Sequence, residues 1–216
     1  MPDEARKPGS SPVTEEEIQA REAHITGKPP RISPLAPGEF GPEATETVAA
    51  LRGALSAGPS SGEVPEIIAT LLRHPALFRP HLNLAMQLFT GALLPRDREI
   101  AILRTVWLCM APYEWGEHVA AGKRVAGLTT EEIERITMGS AAPGWNEQDR
   151  SLIRAVEELH DTAMISDQTW AALARRFDER QLIELPILVG QYQGVSYLEN
   201  ALRLRLIPGN PGLSAR

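Results

Sequence analysis

The chain has a single cysteine, Cys109, among its 216 residues. One thiol cannot form an internal disulfide, and it leaves no second cysteine for a Cys-x-x-Cys redox pair or a thiolate cage around a metal ion. We therefore do not expect thiol redox chemistry or a cysteine-bound metal.

The chain also lacks a long apolar run and an excess of basic residues. Its longest uncharged stretches, such as Leu82–Pro95, fall short of the roughly 20 residues that cross a bilayer. The 22 basic and 28 acidic residues give a net charge of −6, which does not favour binding to nucleic acid. The start Met1-Pro2-Asp3-Glu4 lacks the basic residues and the following apolar segment of a secretory signal. We therefore expect a cytoplasmic protein that binds neither membrane nor nucleic acid.

Proline is concentrated near the N-terminus, where only Thr14–Ile25 has the composition of a helix. This composition predicts an N-terminal arm over residues 1–45, partly disordered or packed on a neighbouring subunit. One helical domain is expected over residues 46–208, and a C-terminal tail over residues 209–216.

Apolar residues recur at spacings of three and four from Glu46 onward, which is typical of amphipathic helices. Val48, Leu51 and Leu55 show this pattern, and Pro95 is suited to the first turn of a later helix. Pro75 and Pro80 argue against a continuous helix between His74 and His81. No run of alternating β-branched residues competes, so the predicted class is all-α.

The residues best suited to chemistry lie in two segments, Arg98-Glu99-Ile100-Ala101-Ile102-Leu103-Arg104 and Tyr113-Glu114-Trp115-Gly116-Glu117-His118. Glu114 and His118 are four residues apart, so they share one helix face and form a usable acid–base couple. Glu99 lies on the preceding helix, where a helical hairpin would bring it alongside. Such a pair also occurs on solvated helix faces, so the spacing alone does not decide its role.

The stretch Arg98–His118, continuing through Ala126-Gly127-Leu128-Thr129, resembles the motif of the carboxymuconolactone decarboxylase family, which shares its helical fold with the AhpD alkylhydroperoxidases. In the hydroperoxidase branch, a glutamate and a histidine accompany a Cys-x-x-Cys pair. On this chain the two cysteines fall on Ala111 and Glu114. Because both thiols are absent, the resemblance implies the decarboxylase branch.

This resemblance implies a cofactor-free carboxy-lyase of aromatic catabolism that acts on a small molecule such as 4-carboxymuconolactone, with no metal. We expect His118 to donate or shuttle the proton, Glu114 to set the charge and tautomer of His118, and Glu99 to orient or protonate the carbonyl side of the substrate. Replacing His118 by Gln is expected to lower turnover by orders of magnitude and to leave the melting curve almost unchanged. The residues expected to bind substrate are Arg104, Tyr113, Trp115 and His81.

Other functions remain open at this point. The same groups would serve an isomerase or a hydratase/dehydratase on a related lactone or enone, and the chain could also be a hydroperoxidase relative without peroxidase activity or a non-catalytic subunit. Glu157-x-x-His160 has the spacing of a di-iron motif but lacks its partners. The resemblance further implies a homotrimer or hexamer, and the apolar segment Val189–Leu206, with Gly190 and Gly194, suits a core or an interface.

Overall fold

The structure is a computed structural model that describes residues 13–54 and 64–216. Within these ranges the chain forms ten α-helices, two short 3-10 helices and no strand, which confirms the all-α prediction. None of the described helices is long and apolar enough to span a membrane. The predicted helical position Leu55 and the first part of the arm, residues 1–12, lie outside the described residues. The helices are α1 (Glu15–Ile25), α2 (Pro42–Ala54), α3 (Glu66–Leu71), α4 (Pro75–Phe89), α5 (Pro95–Leu108), α6 (Pro112–Ala126), α7 (Thr130–Met138), α8 (Glu147–Thr162), α9 (Asp167–Ala174) and α10 (Glu179–Leu202).

Side-chain caps start several of these helices. The hydroxyl oxygens of Thr14 and Thr129 each accept a hydrogen bond from the backbone N–H of the glutamate three residues on. The carboxylate of that glutamate accepts from the N–H of the threonine in return, so α1 and α7 begin with complete capping boxes.

Two prolines do not end their helices. Pro186 lies within α10, and Pro80 lies within α4, so the expected break between His74 and His81 was wrong. Pro80 removes one backbone donor, but the rest of α4 continues around it.

Helix α5 is the centre of the molecule. It packs against α6, α8 and α10, and every residue from Asp97 to Trp107 is buried. A helix enclosed on all sides has no solvated face, so each charged side chain on it needs a partner within the protein. Asp97 pairs with Arg176 of the α9–α10 connection, and the other charged groups of α5 are similarly bound.

The described part of the predicted arm packs on the body of its own chain. Ile18 and Ile25 of α1 are buried, and the Nε–H of Arg21 donates to the carbonyl oxygen of Met110 at 3.2 Å. The C-terminal tail is also packed, since Leu213 is fully buried and its N–H donates to a carboxyl oxygen of Glu22 at 2.6 Å. Helix α1 and the tail therefore cover the start of α6 together.

Candidate functional site

A tight turn between α5 and α6 sets the geometry of the site. Helix α5 ends at Leu108 and α6 begins at Pro112, and Met110 between them adopts the left-handed conformation, with φ of 48°. This turn reverses the chain so that the two helices pack side by side. Glu99 on α5 and His118 on α6, 19 residues apart in sequence, come into hydrogen-bond contact as a result.

The imidazole of His118 lies between two carboxylates. Its Nδ1 is 2.8 Å from Oε2 of Glu99, and its Nε2 is 3.2 Å from Oε2 of Glu114. The ring of Tyr192 from α10 meets the imidazole edge-on, with 4.9 Å between ring centroids. Glu114 lies in the first turn of α6, where the helix dipole favours a negative charge. The structure thus brings the three predicted catalytic residues together.

Burial and hydrogen bonding act in opposite directions on His118. Burial disfavours the imidazolium, but the hydrogen bonds to Glu114 and Glu99 outweigh burial and raise the pKa of His118 to about 10. Burial likewise disfavours the Glu114 carboxylate, but the bond to His118 prevails and holds the pKa of Glu114 below its usual range. At neutral pH His118 is therefore an imidazolium that faces the Glu114 carboxylate at one ring nitrogen and Glu99 at the other.

The three side chains differ in access to solvent. The Glu99 side chain is 1% exposed, whereas those of Glu114 and His118 are 13% and 16% exposed. The part of the cluster that solvent reaches is therefore at His118 and Glu114, and not at Glu99. Glu99, which contacts Nδ1 of His118, is closed off from solvent.

His81, predicted to bind substrate, lies near Glu114. Both of its ring nitrogens are within 3.5 Å of Nε2 of Gln191 on α10. Burial lowers the pKa of His81 despite the nearby charge of Glu114, so His81 is neutral at neutral pH. His81 also lines a cavity of about 160 Å³, whose other walls are Leu71, His74, Leu77 and Phe78.

Arg104 does not reach the site. Its guanidinium pairs with Glu157 at 2.8 Å and donates to the carbonyl oxygens of Ile136 and Thr137 at 2.8 and 2.9 Å. Arg104 therefore joins α5 to α7 and α8, and the prediction that it binds substrate needs correction. The reason is that α5 is buried all round, so its side chains point toward several neighbouring helices.

Trp115 and Tyr113 are likewise parts of the core. Trp115 is fully buried, packs against the tilted ring of Trp107 and donates its Nε1–H to the carbonyl oxygen of Ala215 at 3.1 Å. Tyr113 is 7% exposed, and burial, together with nearby carboxylates such as Glu117, raises the pKa of its hydroxyl. The enclosure of both side chains leaves them without the surface that binding a substrate requires.

A fourth carboxyl group, that of Glu199 on α10, belongs to the site and was not predicted. It is 2% exposed and in contact with Glu114. Its position depends on the packing of α10 against the rest of the bundle, which local spacing does not reveal. One feature could have indicated it, since Glu199 is the only acidic residue between Val189 and Leu206.

Neither the cysteine nor the metal motif supplies an alternative centre. Cys109 is 8% exposed, and burial raises its thiol pKa to about 11, so it is not a thiolate at neutral pH. Glu157 of the Glu-x-x-His motif is bound by Arg104 and by Ser140. Across residues 13–54 and 64–216, no group of three or more metal-binding side chains is arranged to hold an ion.

The comparisons with known proteins agree with this architecture. The model of the carboxymuconolactone decarboxylase family matches residues 74–158, which include α4 to α7 and most of α8. No curated protein matches the sequence.

Three solved structures illustrate the likeness in fold. An AhpD-core peroxidase-related protein from Ralstonia eutropha JMP134 has a TM-score of 0.69 and 13% identity, covering 84% of this chain and 94% of its own. The debrominase Bmp8, a variant of which was solved in complex with 2,3,4-tribromopyrrole, has a TM-score of 0.61 and 16% identity, covering 82% and 92%. A peroxidase-related protein from Silicibacter sp. TM1040 has a TM-score of 0.66 and 14% identity, covering 85% and 96%. At these identities the likeness establishes the fold.

The family match includes Glu99, Glu114 and His118, and the structural neighbours have the same helical arrangement. The resemblance seen in the sequence is therefore confirmed: residues 74–158 match the model of the carboxymuconolactone decarboxylase family, and the fold is AhpD-like.

Proposed function

We propose that this protein is a decarboxylase of a small carboxy-lactone, such as 4-carboxymuconolactone, that works by acid–base chemistry without a cofactor. The observation that carries the proposal is the placement of His118 between Glu99 and Glu114, with the side chains of His118 and Glu114 partly exposed to solvent. The match to the decarboxylase family supports the choice of reaction. The absence of a cysteine at Ala111 and Glu114 argues against a dithiol hydroperoxidase.

The reaction needs no external electron acceptor, because the substrate supplies its own. When the carboxylate is β or vinylogous to the lactone carbonyl, the electrons of the breaking C–C bond move into that carbonyl, giving CO2 and a dienolate. One proton must then be added to carbon. In our proposal His118 donates this proton from Nε2 and becomes a neutral imidazole, which takes a proton back from solvent before the next turnover.

The two carboxylates have different parts in this scheme. Glu99 is bound to Nδ1 of His118 and closed off from solvent, so it fixes the tautomer and orientation of the ring. This contact revises the expectation that Glu99 acts on the substrate carbonyl. Glu114 is bound to the other ring nitrogen, Nε2, where its charge favours the imidazolium that the reaction needs before the substrate takes its place at that nitrogen.

The cavity beside His81 is suited to the ring of such a substrate. Its walls are mostly apolar, and His81, neutral at neutral pH, can donate a hydrogen bond to a carbonyl oxygen that gains negative charge. His81 therefore keeps its predicted role as a substrate-binding residue in the proposal, whereas Arg104, Tyr113 and Trp115 lose theirs.

Isomerisation of a related lactone or enone is the second candidate, and one observation favours it. Arg98, the described arginine nearest in sequence to Glu99, donates to the carbonyl oxygen of Phe89 and lies over the Phe89 ring. Neither Arg98 nor Arg104 is free to hold a substrate carboxylate by two parallel hydrogen bonds. A substrate without a carboxylate would not need such a contact.

Assays with 4-carboxymuconolactone test the decarboxylase, and parallel assays with a related lactone or enone that lacks the carboxylate test the isomerase. We expect CO2 release and loss of the ultraviolet absorbance of the substrate with the wild-type protein and neither with His118→Gln. Glu117→Gln is the matched control, since Glu117 precedes His118 on α6 and is bound to Asn210. Product formation without CO2 would support the isomerase. Equal CO2 release from His118→Gln would refute the assigned chemistry.

We also propose that the protein forms a homo-oligomer through α10. Three large apolar residues on one stripe of this helix, Ile183, Ile187 and Tyr197, are 64%, 45% and 58% exposed. Gly190 and Gly194 continue the stripe, and a Cβ atom added at either would meet no other atom within 4 Å. This face suits close approach by α10 of a second copy.

Light scattering after size-exclusion chromatography tests this arrangement. Ile187→Glu should lower the molar mass, whereas Met164→Glu, on an exposed side chain elsewhere, should not. A wild-type mass equal to that of one chain would refute the proposal.

A further inference from the structure

Glu199 is a buried titratable group that the mechanism above does not use. Both of its carboxyl oxygens are inaccessible to solvent, and no N–H or O–H group of the described residues donates to either of them with good hydrogen-bond geometry. The backbone of Glu114 favours the ionised form of Glu199, but burial has a larger effect in the opposite direction. A buried carboxylate so poorly bound is strongly disfavoured, so the group must gain a proton or lie beside a cation.

The groups that face Glu199 do not supply that cation. Glu114 and Glu117 of α6 are acidic, and burial raises the pKa of the hydroxyls of Tyr113 and Tyr192. Burial lowers the pKa of His81, which is therefore neutral at neutral pH and supplies no charge. Burial first, and then the charge of Glu114, hold the pKa of Glu199 well above its usual range.

The contact between Glu114 and Glu199 requires a proton. Ionised carboxylates only accept hydrogen bonds, so two of them in contact can bond only if one is protonated. Glu114 already faces the imidazolium of His118, which favours its ionised form. The proton therefore belongs on Glu199.

We propose that Glu199 is a protonated positioning residue that donates a hydrogen bond to Glu114 and so keeps Glu114 ionised and directed at Nε2 of His118. Four groups then form one chain of hydrogen bonds across three helices: Glu99 of α5, His118 and Glu114 of α6, and Glu199 of α10. The effect of Glu199 on turnover rests on the proposed function, but its protonation does not.

Infrared spectroscopy tests the protonation without any substrate. At neutral pH the wild-type protein should show a carboxylic acid C=O band that shifts in D2O, and Glu199→Gln should lose this band. Glu117→Gln is the matched control and should keep it. A band that survives in Glu199→Gln, or the absence of any such band in the wild-type protein, overturns the proposal.

The positioning role is tested by titrating His118 in nuclear magnetic resonance spectra. In Glu199→Gln the amide still donates to Glu114, so the pKa of His118 should remain close to that of the wild type. In Glu199→Leu the donor is lost, Glu114 binds a proton more readily, and the pKa of His118 should shift downward. An unchanged His118 titration in folded Glu199→Leu would show that Glu199 only fills space.

These results stay separate from the fate of the decarboxylase proposal. If the wild-type protein does not release CO2 from 4-carboxymuconolactone, the infrared band and the His118 titration still decide the role of Glu199. If it does, Glu199→Leu should lower kcat more than Glu199→Gln does, and equal kcat values for the two variants would count against positioning.

Discussion

Glu99 of α5 accepts a hydrogen bond from Nδ1 of His118 of α6 at 2.8 Å, and its own side chain is almost completely closed to solvent. This contact commits Nδ1 to one partner and leaves Nε2 as the reactive nitrogen. The positive charge of the imidazole also stabilises the folded protein, because a buried carboxylate without its cation is strongly disfavoured.

Glu99→Gln should lower the pKa of His118 from about 10 toward the ordinary value of 6.5. The amide keeps the shape of the side chain but removes the negative charge that favours the imidazolium. A pH titration of the imidazole nitrogens by nuclear magnetic resonance measures this shift. Glu117→Gln, which removes a charge next to His118 in the chain without breaking its hydrogen bonds, should cause a much smaller change. Equal shifts in the two variants would contradict the role given to Glu99.

His118→Gln should lower the free energy of unfolding at neutral pH by about 3 kcal/mol, the order expected when one partner of a buried ion pair is removed. The sequence alone predicted an almost unchanged melting curve, but it gave no measure of burial. In the structure, the neutral amide would leave two carboxylates, Glu99 and Glu114, without their shared cation. Denaturant unfolding at neutral pH measures the loss. A variant as stable as the wild type would show that His118 is neutral in the folded protein.

Stability should fall as the pH rises above neutrality. The pKa of His118 is raised from 6.5 to about 10, so its contribution is complete below pH 6.5 and is lost as the pH rises through about 10. Glu199, whose pKa is raised above 4.5, acts in the same direction. Thermal melts of the wild type and His118→Gln across this range should therefore converge at alkaline pH. Parallel curves would contradict the linkage.

The core of the site was predictable because it rests on local spacing. Glu114 and His118 are one helical turn apart, and a short hairpin connection brings a residue of the preceding helix alongside them. The one-turn spacing and the hairpin connection both involve residues that are close together in the sequence. The contact between Glu99 and His118 therefore follows from two helices and the turn that joins them.

The remainder of the site depends on contacts that the sequence does not reveal. Glu199 reaches Glu114 only because α10 packs against the bundle, 85 residues further along the chain. Arg104 was expected in the site because it ends the same motif as Glu99, but α5 is buried on every side and directs Arg104 toward α7 and α8. Pro80 was misjudged for the same reason. A proline that would stop an isolated helix is tolerated within α4 of the folded protein.

Arg104→Met should destabilise the protein by about 3 kcal/mol or more, because it breaks a buried pair and leaves Glu157 without its cation. The carbonyl oxygens of Ile136 and Thr137 would also lose their donor. Denaturant unfolding measures the loss. Arg205→Met is the matched control, since Arg205 forms an exposed ion pair with Glu66 that should be worth less than about 1 kcal/mol. With an active wild-type protein, KM should be the same in both variants under conditions where they are folded. A large increase in KM confined to Arg104→Met, together with unchanged stability, would return Arg104 to the substrate-binding role that its place in the motif first predicted.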